Sequence, residues 1–105
     1  MPKARRGEIW LIDLGMVQKP RPCLILSVEY LDPERAVVTY VSRTTVPRQT
    51  RFEVPHEARG FEPGVFDAQG IGSVPVVKLE RRLGAVEPAL LQQVEDAVKR
   101  WLALG

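Results

Sequence analysis

Apolar residues come in short bursts over the first three quarters of the chain and at helical spacing over the last. Residues 7–14 (GEIWLIDL) set Ile9 and Leu11 against Trp10 and Ile12, so both faces are apolar and a buried strand is expected. Residues 23–28 (CLILSV) form a second such run, directly after the stiff Pro20-Arg21-Pro22 segment. Asp32-Pro33-Glu34 has turn chemistry, and the β-branched run 36–41 (AVVTYV) returns from it as a paired strand, giving a hairpin-like unit. Residues 50–54 (TRFEV) alternate polar and apolar, as a strand with one wet face does. Glycines 60 and 64, and again 70 and 72, mark loops, which leaves 65–68 and 74–79 as further short strands.

The period changes after Pro88. Leu91, Val94, Val98, Trp101 and Leu102 recur at three- and four-residue steps, predicting an amphipathic helix that starts near Glu87-Pro88, carries Lys99 and Arg100 in its last turns and ends at Gly105. Several short strands followed by one packing helix predict a mainly β fold of the α+β kind, a small barrel or strongly curved sheet with a helix against it.

A chain of 105 residues with 45% hydrophobic and 27% charged residues fits one globular domain over 1–105. No apolar run approaches the roughly 20 residues that cross a bilayer, and the charged start MPKARRGEIW lacks a signal-peptide core, so the expected location is the cytoplasm with no membrane partner. Cys23 is the single cysteine, and no Cys/His cluster has the spacing of a zinc site. At the start of an apolar strand it reads as a small core residue. The net charge of +2 is uninformative, but its distribution is not: Arg43, Arg48 and Arg51 follow one another with no acid among them. With Lys19 they could track a phosphate backbone. Trp10 and Trp101 are expected in the core on their spacing, and His56, beside Pro55, in an exposed turn.

The words RGEIWLIDLG, KPRPCLILS, RTT and FDAQG occur in that order, and together they resemble the MazF/PemK family of toxin endoribonucleases. The resemblance runs over nearly the whole chain, and the 23 positions between Arg21 and Thr44 match the family pattern. It implies an SH3-like barrel and a homodimer whose grooves accept single-stranded RNA and are blocked by a cognate antitoxin. It also implies metal-independent, sequence-specific cleavage without a cofactor. Residue by residue, Arg21 corresponds to the catalytic arginine, Thr44 to the hydroxyl at the scissile phosphate and Gln69 to a glutamine of the third motif. The chain departs from the pattern in its short segment Gly15-Met16-Val17-Gln18-Lys19, where many members have an acidic glycine-rich loop, and in Ile71, where an arginine is frequent.

The chemistry of such a cut suits these residues. A 2′-hydroxyl in line with its neighbouring phosphate displaces the 5′-oxygen, and the charge that accumulates on the phosphoryl oxygens is stabilised by fixed donors. Arg21 is permanently charged and forked, and its flanking prolines restrict its backbone. Thr44, and Thr45 beside it, can donate to a phosphate oxygen. Asp67 and Gln69 share a face if the chain is extended there. Arginine is a poor base, so Asp67, a glutamate, His56 or electrostatic activation alone could take the proton. Two alternatives remain on the sequence: a toxin of the same fold that grips a protein target such as DNA gyrase, and a nucleic-acid-binding module that does not cut.

Overall fold

The computed structural model describes residues 3–15 and 19–105; Met16, Val17 and Gln18, in the short segment before the Arg-Pro pair, lie outside them. The elements follow as β1 (Glu8–Ile12), β2 (Arg21–Ile25), β3 (Val37–Thr44), β4 (Glu53–His56), β5 (Gly64–Pro75), a 3₁₀ turn (Val76–Lys78), β6 (Leu79–Ala85) and α1 (Pro88–Leu102). The strands make one antiparallel sheet in the order β4-β5-β3-β2-β1-β6, with α1 packed on β5 and β4. This is the mainly β class with a packing helix that the pattern predicts. The ladder does not close from β6 back to β4, so the sheet is a curved, open one.

Two apolar clusters explain why the first strands are apolar on both faces. Ile9 of β1 and Leu24 of β2 point to one side, where Val41, Val54, Phe66, Val94 and Ala97 join them under the helix. Their neighbours Trp10, Ile12, Cys23 and Ile25 point to the other, against Val38, Val76 and Leu79. Trp10 is therefore a core residue, and its indole N–H donates to Glu8 Oε1 at 3.0 Å. Burial pushes the Cys23 thiol up to about 12, which keeps it protonated and inert.

Four local expectations are corrected. Glycines 70 and 72 lie inside the long strand β5, where a Cβ on Gly70 would sit 2.2 Å from Ser42 Oγ and one on Gly72 2.7 Å from Tyr40 Oη. They permit close cross-strand approach and do not mark a loop. The expected strand over 74–79 is divided, because β5 stops at Pro75 and the 3₁₀ turn intervenes before Leu79. Strand β6 was not expected: its charged Glu80-Arg81-Arg82 suits an edge, with one side unpaired, and hides the alternation. The fourth concerns 50–54, of which only Glu53 and Val54 are strand; Thr50 Oγ1 instead accepts the Phe52 N–H at 3.2 Å in a turn.

Helix α1 begins as expected, with Glu87 at the N-cap and Pro88 in the first turn, and buries Val94 and Ala97. It stops before Gly105. Ala103 takes the left-handed conformation (φ 57°, ψ 41°), and Leu104 N–H returns to the Lys99 carbonyl at 2.8 Å. An alanine there carries a Cβ penalty that glycine escapes. Ala103→Gly should stabilise the fold by about 0.5–1 kcal/mol. The urea midpoint checks this; a lower midpoint would contradict the assigned cap.

Candidate functional site

Strand register brings the chemistry-bearing residues to one face. Cys23 of β2 pairs with Ser42 of β3, and continuing that antiparallel register sets Arg21 level with Thr44. On the other side of β3, Ser42 pairs with Asp67 of β5, which in turn pairs with Glu53 of β4. Two depressions open over this face. One, of about 340 Å³, is lined by Leu14, Arg21, Ser42, Arg43 and Thr44. The other, of about 600 Å³, is lined by Ser42, Thr44, Arg48, Glu53, Asp67, Gln69 and Trp101 among others. Ser42 and Thr44 belong to both, so the depressions adjoin, with Arg21 beside one and Asp67, Gln69 and Arg48 beside the other.

The sequence folds this way locally for identifiable reasons. Opposite β3, the ladder passes from Val41↔Ile71 directly to Ser42↔Asp67, so Ala68, Gln69 and Gly70 bulge out of β5. Asp67 Oδ1 accepts the Gln69 N–H at 3.0 Å and closes the bulge. Thr44 Oγ1 accepts the Val46 N–H at 3.1 Å, which leaves the hydroxyl proton free to donate. The following turn wraps a carboxylate: Glu53 accepts the Arg48 N–H at 2.9 Å and the Thr50 N–H at 3.1 Å, with Gln49 left-handed (φ 60°) between them. Burial acts to raise the Glu53 pKa, but these backbone donors and the charge of Arg48 outweigh it and hold the carboxyl below its usual range. Arg21 and Arg48 are exposed, and among the described residues neither is in an ion pair.

The other candidates are placed elsewhere. Thr45 lines neither of these two depressions but two others, one shared with Arg59, Arg81 and Arg82. Lys19 is exposed and borders neither of the two adjoining depressions. Arg51 lies over the Phe52 ring, 4.6 Å from its centroid.

Two expectations are overturned. Arg43 does not track phosphates at the surface: it is 5% exposed, and its Nε donates to His56 Nδ1 at 2.8 Å while its Nη2 donates to the carbonyls of His56, at 3.1 Å, and of Glu62. The alternation of β3 sends Arg43 inward because Ser42 and Thr44 face the groove. His56 is not in an exposed turn. It ends β4, is 4% exposed and packs on Phe61 and Phe66, so it is remote from the role of a base in the groove. Pro55 is tolerated in β4 because that strand is an edge.

Ser42 and Trp101 are among the groove residues that were not anticipated. Ser42 stands two positions before Thr44, and strand alternation was the available signal. Trp101 was expected in the core on helical spacing but is 42% exposed and forms part of the groove wall.

A forked cation level with a hydroxyl on a rigid sheet, with a further free arginine and a carboxylate across the same groove, is suited to holding a phosphodiester and stabilising charge on it. Comparison with known proteins agrees in kind. Residues 5–102 match the model of the PemK-like, MazF-like toxin of type II toxin-antitoxin systems, and the chain belongs to that family. It is 34% identical over 92 residues to endoribonuclease MazF3 of Mycobacterium tuberculosis, an alignment covering 82% of this chain and 89% of the relative. Among solved structures it resembles an endoribonuclease in complex with its cognate antitoxin from a mycobacterial species, with a TM-score of 0.84, 27% identity and 97% of each chain covered. It also resembles the M. tuberculosis toxin MazF-mt6, with a TM-score of 0.80, 28% identity, and coverage of 93% of this chain and 98% of that one.

The buried pair makes stability depend on pH. Burial first, and then the neighbouring Arg43 charge, lower the His56 pKa from its ordinary 6.5. The unfolded chain thus binds a proton that the folded chain refuses. The pair's contribution is complete above the unfolded value and is lost as pH falls through it towards the folded one. The urea midpoint should fall between about pH 7.5 and about pH 5.5, and His56→Gln should flatten that change. An equal slope in both proteins would contradict the assignment.

Proposed function

We propose that this toxin is an endoribonuclease that cuts single-stranded RNA at short sequences without a metal, and that Arg21 and Thr44 act at the scissile phosphate. The single observation that carries this reading is the open depression that Arg21, Ser42 and Thr44 line together. The 2′-oxygen attacks phosphorus, the bond to the 5′-oxygen breaks and that oxygen takes a proton from solvent, and the products are a 2′,3′-cyclic phosphate and a 5′-hydroxyl. Arg21 stabilises the phosphoryl oxygens, and Thr44 donates its free proton to one of them. Asp67 borders the same groove, and its Oδ2 accepts the 2′-hydroxyl proton in this reading; Gln69 and Ser42, which line the groove too, make polar contacts to the nucleotide. Arg48, Arg51 and Lys19 supply positive charge along the strand. Electrostatic attraction of this kind makes binding sensitive to salt.

The working unit in this reading is a homodimer of single toxin domains in the cytoplasm, held in check by a cognate antitoxin protein. Among the described residues no helix is long and apolar enough to cross a membrane.

Mixed RNA incubated with the protein in EDTA should yield fragments with 5′-hydroxyl ends at a short recurring sequence. Arg21→Ala should slow cleavage by about 10²–10³-fold with its circular dichroism unchanged. RNA left intact by the wild-type protein would overturn the enzyme reading. Light scattering at micromolar concentration should give the mass of two chains, and the mass of one would overturn the dimer.

A further inference from the structure

The stripe that α1 lays on the sheet runs past the core at its last turn. Val94 and Ala97 are buried, yet Trp101, on the same stripe, overhangs the groove beside Thr44, Arg48 and Gln69. Its indole is nonetheless held in place. It meets the Phe52 ring edge-on, with centroids 5.2 Å apart at 64°, and Phe52 is itself buried and covered by Arg51. The helix end beneath it is closed by the Leu104 N–H on the Lys99 carbonyl, and Arg100 Nη1 reaches the Arg51 carbonyl at 3.4 Å. A large aromatic surface left open on a polar groove, and fixed before any ligand arrives, loses little freedom on binding a flat partner. Every nucleobase offers such a face.

We propose that Trp101 is a stacking platform for one unpaired nucleobase of the RNA, next to the phosphate held at Arg21 and Thr44. The inference rests on the reading of the groove as an RNA site. Phosphate contacts come from the arginines and register the backbone, while Trp101 grips the base and sets which nucleotide lies beside the cut. It is a binding residue that touches the ligand and takes no part in proton transfer.

The test needs no cleavage, so it separates this proposal from the enzyme reading. Short oligouridylate and oligoadenylate, and an abasic ribose-phosphate oligomer of the same length, are titrated into the wild-type protein, Trp101→Phe and Trp101→Leu, with affinity read by isothermal titration calorimetry and stacking by quenching of the indole emission. Trp10 is buried and serves as a constant background in the indole emission. The base-bearing oligomers should quench the wild type, and the abasic oligomer should bind without quenching. Trp101→Leu should bind the base-bearing oligomers about tenfold more weakly and the abasic one equally well, with Trp101→Phe close to wild type. Equal affinity of Trp101→Leu and wild type for the base-bearing oligomers would overturn the proposal. So would an equal weakening for all three ligands, or a change of mass in light scattering, since either would make Trp101 a structural or interface residue. Quenching as expected from a protein that leaves RNA uncut would keep the platform and remove the enzyme.

Discussion

A guanidinium held inside the fold sets the phase of everything around it. Arg43 cannot lose its charge, so its burial is tolerable only because His56 Nδ1 and the carbonyls of His56 and Glu62 receive its donors. Phe61 lies against it, its centroid 5.1 Å from the guanidinium carbon, and Gly64 leaves it room, since a Cβ there would sit 3.0 Å from Nη1. Strand side chains alternate, so anchoring Arg43 inward obliges Ser42 and Thr44 to face outward. A slip of one residue in β3 would bury the hydroxyls and expose the charge. The pair thus belongs to the architecture that presents the site, one layer beneath it.

The outward face carries a division of labour along the strands. Its Arg21–Thr44 row lies where β2 begins and β3 ends, at the rim of the sheet. Its Ser42–Asp67–Glu53 row is tied to the backbone: Asp67 closes the bulge of β5 and Glu53 gathers the N–H groups of the 45–52 turn. Each carboxylate therefore has a structural task near the groove: both oxygens of Glu53 accept backbone N–H groups, and Asp67 uses Oδ1. Rigid strands with caps of this kind hold donors in position before the substrate arrives, which is what electrostatic stabilisation of a transition state requires.

Much of this was legible in the residues. The doubly apolar β1 and β2, the β2–β3 unit and the period change at Pro88 follow from local patterning, and the family words singled out Arg21, Thr44 and Gln69, which the fold brings to adjoining depressions. What stayed hidden depended on neighbours distant in sequence. Arg43 reads as one more basic residue until the partners of β4 and the 57–63 segment are known. His56 after Pro55 looks like a turn unless β4 is known to be an edge. Gly70 and Gly72 look like breaks unless Ser42 and Tyr40 are placed opposite them. Trp101 continues the apolar stripe of α1, and only the position of the sheet shows that the stripe outruns the core.

The claim at the centre of this account is that the groove aligns a phosphate for attack by the RNA's own hydroxyl. A substrate containing one mapped cleavage sequence, with deoxyribose substituted only at the nucleotide that supplies the 2′-hydroxyl, tests it most directly. The account predicts that the modified bond survives while the oligonucleotide still competes with unmodified RNA for the protein. Cleavage of that bond at an undiminished rate would mean that another nucleophile does the work, and would contradict the roles given to Arg21, Thr44 and the face they share.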